Sequence, residues 1–327
     1  MPQFDLSLPE LRAYRPAREE PADFDTFWSE TLSQSRAKAS EATYTEVDTP
    51  LRTVTVSDVT FSGFMGQPVR AWLLLPTIGS RPLPAVVEYI GYGGGRAFPF
   101  NHLIWASAGY ASLVMDTRGQ GSAWSPGDTD DRDDESSGPQ YPGFLTRGIR
   151  NRDSYYYRRL ISDAVLAVDT VTRHPQVDPE RVIVCGASQG GGLSLAVSGL
   201  SPMVRAALID VPFLCHYRRA AEMTDEKPYS ELTGYLSIHQ TQAEEIFRTL
   251  SYFDGLNFAT KTSAPALFSV GLMDTICPPS TVFAAFNHYA GEHEIKVWPF
   301  NGHQGHEFYQ QVEQFAFLKR LGLTPQV

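Results

Sequence analysis

Val182-Ile183-Val184-Cys185-Gly186-Ala187-Ser188-Gln189-Gly190-Gly191-Gly192-Leu193-Ser194-Leu195-Ala196 reads as strand, sharp turn and helix in quick succession. A turn this tight forces its central residue into strained backbone, so small residues must flank the serine. The strain lifts Ser188 Oγ above the carboxyl end of a sheet. The N-terminus of the following helix favours the negative charge of an acyl-transfer intermediate. GxSxG alone recurs by chance; its strand–turn–helix setting marks this copy as a nucleophile elbow.

Outward from the elbow, short apolar runs alternate with helical stretches. Ala85–Ile90, Ala111–Met115, Arg181–Val184, Ala206–Ile209, Ala266–Val270 and Ile295–Trp298 read as buried strands. Leu103–Ala108, Ser154–His174 and the stretches 190–199, 279–290 and 307–321 read as helices. That alternation argues for an α/β fold with a mostly parallel central sheet, helices on both faces and inserted loops. Val54–Phe61 and Val69–Leu75, joined by a short turn, predict an antiparallel start to the sheet. Asp23 is placed to cap a helix running to Lys38. One domain over 1–327 is expected, with an N-terminal helical extension to about 45 and insertions near 118–153 and 211–262.

An activated serine needs a base and an orienting acid, which in such a fold follow it in the order acid, then His. Asp274, in Gly271-Leu272-Met273-Asp274 just past a strand, is the expected acid, and Asp210, at the end of the preceding strand, is its rival. Of the later histidines, His288 and His293 fall in a helix and beside a strand and read as structural. His303 follows Gly302 in a loop after the last strand and is the expected base; His306 is the rival. An oxyanion hole needs two backbone N–H donors. Gln189, directly after the serine, supplies one, and Tyr92 in the loop Gly91-Tyr92-Gly93-Gly94-Gly95 is the candidate for the other. Arg96 stands where a dinucleotide-binding GxGxxG would need its last glycine. Arg118, in Asp116-Thr117-Arg118-Gly119-Gln120-Gly121, reads first as an ion-paired organiser of the active-site loops, with a substrate contact as the alternative. The acidic run Asp128–Glu135 lacks the glycine and glutamate of a calcium loop, so no metal is expected. Tyr92, Trp124 and Phe213 are candidate walls of an acyl pocket.

The chain has 327 residues, 42% hydrophobic and 20% charged, with a net charge of −10. That balance excludes disordered, collagen-like and coiled-coil chains, and the negative sign argues against a nucleic-acid footprint. Cys185, Cys215 and Cys277 show no CxxC pairing and read as buried small hydrophobes. The N-terminal residues lack a signal-peptide pattern, and no uncharged apolar run reaches membrane-spanning length, so a cytoplasmic location is expected.

Tyr89-Ile90-Gly91-Tyr92, Arg118-Gly119-Gln120-Gly121, Gln140-Tyr141-Pro142-Gly143, Gly186–Gly192 and Gly271-Leu272-Met273-Asp274 closely resemble the seventh family of carbohydrate esterases. These are the acetyl xylan esterases and cephalosporin C deacetylases. The resemblance extends to Tyr14-Arg15-Pro16 and Phe27-Trp28 and covers nearly the whole length. It implies an α/β-hydrolase fold and a cofactor-free Ser188–His303–Asp274 deacetylase with Tyr92 and Gln189 as oxyanion donors. It also implies a homohexamer acting on acetylated xylo-oligosaccharides and cephalosporin C. In that family Glu directly follows the histidine. Here Gln304 follows His303, and the His-Glu pair is His306-Glu307, although counting from the preceding strand keeps His303 in register. Two other functions suit the same elbow: a serine peptidase or acyl-aminoacyl hydrolase, and a catalytically silent scaffold.

Overall fold

The computed structural model describes residues 3–131, 138–304 and 307–326. Two short helices open the chain, α1 (Leu8–Ala13) and α2 (Phe24–Ala37). Strands β1 (Thr43–Glu46), β2 (Val54–Ser62), β3 (Pro68–Pro76) and β4 (Leu83–Tyr89) follow, then α3 (Leu103–Ser107), β5 (Ala111–Met115) and α4 (Tyr156–Val171). The second half runs β6 (Val177–Ala187), α5 (Gln189–Leu200), β7 (Val204–Asp210), α6 (Tyr217–Met223), α7 (Tyr229–Ile238), α8 (Ala243–Ser251) and α9 (Gly255–Ala259). It ends with β8 (Ala266–Gly271), α10 (Pro279–His288), β9 (His293–Trp298) and α11 (Glu307–Arg320).

The nine strands among the described residues join one sheet in the order β1-β2-β3-β5-β4-β6-β7-β8-β9. The pairs β1–β2, β2–β3 and β3–β5 are antiparallel, of which the adjacent strand signals at 54–75 predicted β2–β3. From β5 across to β9 every pair is parallel. Parallel strands need crossovers, and these put helices on both faces, so the central strands are apolar on both sides. Val87, Val184, Ile209 and Phe268 face the larger core with α2, α4, α5, α9 and α10, while Val86, Ile183, Leu208 and Leu267 face a smaller core under α3 and α11.

Helix α4 is buried along almost its whole length, so its polar residues need partners. Asp163 accepts from Arg118 Nε (2.5 Å) and Nη2 (2.7 Å), and Arg159 donates to both oxygens of Asp131 at 2.9 and 2.7 Å. Arg118 is wholly buried, which bears out its reading as an organiser of loops. Asp23 does stand at the N-cap of α2, but its carboxylate accepts from Arg152 and Tyr252 rather than from the helix backbone.

Three expectations change. β9 is half-buried rather than buried, because as an edge strand it has a neighbour on one side only. The exposed edge strand β1 was not anticipated, since all four of its residues face solvent and leave no apolar pattern. The 211–262 stretch carries the four helices α6 to α9 instead of plain loop. Among the described residues of 118–153 there is neither helix nor strand, and part of the acidic run Asp128–Glu135 lies outside the described residues.

Candidate active site

Ser188 sits between β6 and α5 with φ 57° and ψ −119°. A non-glycine residue held there costs on the order of 1–3 kcal/mol and persists only where its surroundings over-determine it. They do: Ser188 N donates to Asp210 O at 3.0 Å, and Ser188 O accepts from Gly192 N and Phe213 N at 2.9 Å each. The last glycine of the motif has a visible cause. A Cβ on Gly190 would lie 2.1 Å from Tyr89 O, where α5 crosses the end of β4.

The acid and base come from the ends of β8 and β9. Gly271 closes β8, and a Cβ there would strike Gly302 O at 2.4 Å, so the two loops lie directly against each other. Met273 N donates to Asn301 O at 3.0 Å across the same contact. Asp274, fully buried, accepts at Oδ2 from His303 Nδ1 (2.9 Å), and at Oδ1 from the N–H groups of Ile276 and Cys277 (2.9 Å each). With Nδ1–H donating to a carboxylate, His303 Nε2 is left as an acceptor. His303 and Ser188 line one cavity of about 1070 Å³.

The rival acid lies elsewhere. Asp210 accepts from Gln310 Nε2 (2.9 Å) and Gln314 Nε2 (2.6 Å) of α11, and burial pushes its carboxyl up to about 6. His306 lies outside the described residues. His288 donates from Nε2 to Pro16 O at 2.8 Å, and His293 bonds Gly291 O at 2.6 Å, so both are structural as expected.

The candidate oxyanion residues are held by side chains that sequence reading left unassigned. Gln189 opens α5, so its N–H has no intrahelical acceptor. Gln120 takes the Gly93 N–H at 2.6 Å and donates to Gln189 Oε1 at 2.9 Å, tying the 91–95 loop to the elbow. Gln189 Nε2 returns a bond to Ile90 O at 3.1 Å. The Tyr92 hydroxyl donates to Glu231 of α7 at 2.7 Å and accepts from Phe144 N at 2.8 Å, and Trp124 Nε1 donates to Tyr92 O at 2.8 Å. Burial and Glu231 push that hydroxyl far above its usual range. Gln120 stood in a quoted motif without a role, whereas Glu231 carried no local signal at all.

Tyr92 and Trp124 line the cavity, as expected of pocket walls. Phe213 does not: it is fully buried and packs edge-on behind Tyr92, with ring centroids 5.9 Å apart. All three cysteines are buried and unpaired. Cys277 is more than core filler, because its N–H holds Asp274 Oδ1. Among the described residues, no group of three or more His, Cys, Asp or Glu could hold a metal ion, and no helix is long and apolar enough to cross a membrane.

A strained serine on a strand–helix turn, with an Asp–His pair at the ends of later strands of a mostly parallel sheet, defines an α/β hydrolase. Within that class the chain belongs to the acetyl xylan esterase (AXE1) family, whose model matches residues 1–321. The family is one of carboxylic ester hydrolases. The chain is similar to the acetyl xylan esterase from Paenibacillus sp. R4, with 38% identity, 98% of this chain and 100% of that one covered, and a TM-score of 0.88. It is similar, too, to acetyl xylan esterase 1 from Thermoanaerobacterium sp. JW/SL YS485, with 31% identity, coverages of 98% and 99%, and a TM-score of 0.87. The acetyl esterase Axe7A of Xylanibacter ruminicola is 28% identical over 317 residues, and the match takes in 90% of this chain and 66% of that protein's length.

Proposed function

We propose that the protein is a serine deacetylase, in which Ser188 attacks the acetyl carbonyl and His303 acts first as general base and then as general acid. Asp274 orients the imidazole and stabilises its charged form, the N–H groups of Tyr92 and Gln189 hold the oxyanion, and water hydrolyses the acetyl-enzyme. The observation that carries this is the positive-φ serine sharing one cavity with a histidine whose Nδ1 is 2.9 Å from a buried aspartate. The substrates proposed are acetylated xylo-oligosaccharides and the acetyl group of cephalosporin C, in keeping with the family resemblance. The proposed assembly is a homohexamer. Exposed Phe98, Trp124 and Tyr141 stand around the cavity, and Phe300 after β9 and Phe308 and Tyr309 at the start of α11 are exposed as well; an assembly would cover such side chains.

Hydrolysis of p-nitrophenyl acetate, butyrate and octanoate tests the proposal. Wild type is expected to favour acetate steeply, and Ser188→Ala to lose about 10⁴ to 10⁶ in kcat. Near-normal turnover by the variant would remove Ser188 from the mechanism. Equal turnover of the longer esters would remove the deacetylase assignment.

A further inference from the structure

Tyr92, whose N–H is a proposed oxyanion donor, sits in a loop with little stiffness of its own. Four of the five residues from Gly91 to Gly95 are glycine, which leaves the backbone a wide choice of conformations. Among the described residues nothing accepts from the Tyr92 N–H, so that group is open to a substrate oxygen but is steadied by no bond of its own. Its aim is set by what grips the residue elsewhere. Trp124 Nε1 holds the Tyr92 carbonyl at 2.8 Å, Gln120 holds the next N–H, at Gly93, at 2.6 Å, and the side chain is gripped at its far end.

That far end depends on one acceptor. The Tyr92 oxygen receives three backbone N–H groups, from Phe144 at 2.8 Å and from Gly143 and Leu145 at 3.3 Å each. A hydroxyl has two lone pairs and a single hydrogen. With the lone-pair side occupied, the hydrogen has to leave in another direction, and Glu231 Oε2 meets it at 2.7 Å. The same Oε2 accepts from Leu145 N at 3.3 Å, so the hydroxyl, the carboxylate and the 143–145 turn form a closed set. Without the carboxylate the hydroxyl hydrogen is stranded beside three N–H groups, and relief requires the ring to move. Helix α7 does not need Glu231 in order to dock. It buries Tyr229 and Leu232, and the Tyr229 hydroxyl donates to Cys215 O at 3.3 Å.

We propose that Glu231 is a positioning residue for catalysis: by accepting the Tyr92 hydroxyl it fixes the ring, and through the ring it aims the Tyr92 N–H at the oxyanion. The inference rests on Ser188 being an acyl-transfer nucleophile with Tyr92 as an oxyanion donor. A donor placed in advance is worth about 10² to 10³ in kcat, and a displacement of about 1 Å forfeits about 10².

Hydrolysis of p-nitrophenyl acetate and inhibition by 1,1,1-trifluoroacetone together test this. Ser188 Oγ adds to the ketone carbon, its proton passes to His303, and the ketone oxygen becomes the anion between the two donors. The inhibition constant therefore reads the oxyanion hole without turnover. In Glu231→Leu, kcat is expected to fall about 100-fold with KM within about threefold, and the inhibition constant to rise by a similar factor. Glu231→Gln can place its amide oxygen where Oε2 stands and keep both bonds, so it should remain within about fivefold of wild type. Tyr92→Phe, which keeps the ring against Phe144 and Phe213, should match Glu231→Leu, and the double variant should be no worse than either. If Glu231→Leu does not fold, Tyr92→Phe carries the same measurement. A wild-type kcat in either variant, a loss in Glu231→Gln as large as in Glu231→Leu, or a lower kcat with the inhibition constant unmoved overturns the proposal. Undiminished hydrolysis by Ser188→Ala marks the separate failure of the nucleophile assignment.

Discussion

At Asp274 the two carboxylate oxygens do different work, and a single substitution separates them. Oδ1 receives the Ile276 and Cys277 N–H groups, whereas Oδ2 receives only His303 Nδ1. Asp274→Asn keeps the first oxygen and puts an N–H₂ against the imidazole, forcing the tautomer in which Nε2 carries the proton. The expected outcome is a kcat for p-nitrophenyl acetate lower by roughly 10⁴, with the melting temperature little changed. Asp210 makes a second residue-scale prediction. Its folded-state value of about 6 lies above the ordinary carboxylate value of about 3.9, so the folded chain binds more protons than the unfolded one between those limits. Its contribution to stability is therefore complete at low pH and is lost as pH rises through about 4 to 6. In Asp210→Asn, melting curves across that range should lack this component, and the variant should gain on wild type above pH 6. An identical pH profile in the two proteins would refute the linkage.

Among the elements, those with clear periodicity were legible: the observed β5 coincides with the predicted Ala111–Met115, and α2 with the segment behind Asp23. Most of the elements missed had no such pattern: β1 is wholly exposed, and the short helices α6, α7 and α9 owe their place to packing against the core, whereas α8 carries an apolar stripe of Ile246, Phe247 and Leu250 that the sequence reading left unassigned. The link between α4 and the Arg118 loop shows what such packing demands. Removing the carboxylate in Asp163→Ala would strand the Arg118 guanidinium, which is fully buried, and would also orphan the Phe64 N–H (2.8 Å from Asp163 Oδ1). The expected cost is about 3–5 kcal/mol, measured by urea unfolding. A loss under 1 kcal/mol would mean that Asp131, 3.6 Å from Arg118, suffices alone.

For the molecule as a whole, the sheet order gathers loops from β4, β6, β8 and β9 at one carboxyl-end rim, and that is where the cavity opens. Trp124 on its lining is exposed by 63%, and Phe300 and Phe308, in the segment that carries His303, by 84% and 73%. Light scattering at neutral pH should give a mass near six times that of the 36.3 kDa chain. Mutating Phe300 and Phe308 to Ser should shift it toward smaller species. A monomer at micromolar concentration would contradict the proposed assembly.

The sequence by itself determined the elbow at Ser188, the order of Asp274 and His303 behind it, and the parallel sheet that presents them. These are local matters, because a glycine-flanked serine between a strand and a helix, and short apolar runs between helices, leave few other ways to fold. Only the tertiary structure shows what separates Asp274 from Asp210, since both lie at the end of a strand and differ in what reaches them: His303 in one case, Gln310 and Gln314 in the other. It also revealed Gln120, Glu231 and Cys277 around the site. Their contacts join residues far apart in the chain, and such contacts depend on which loops the sheet brings side by side.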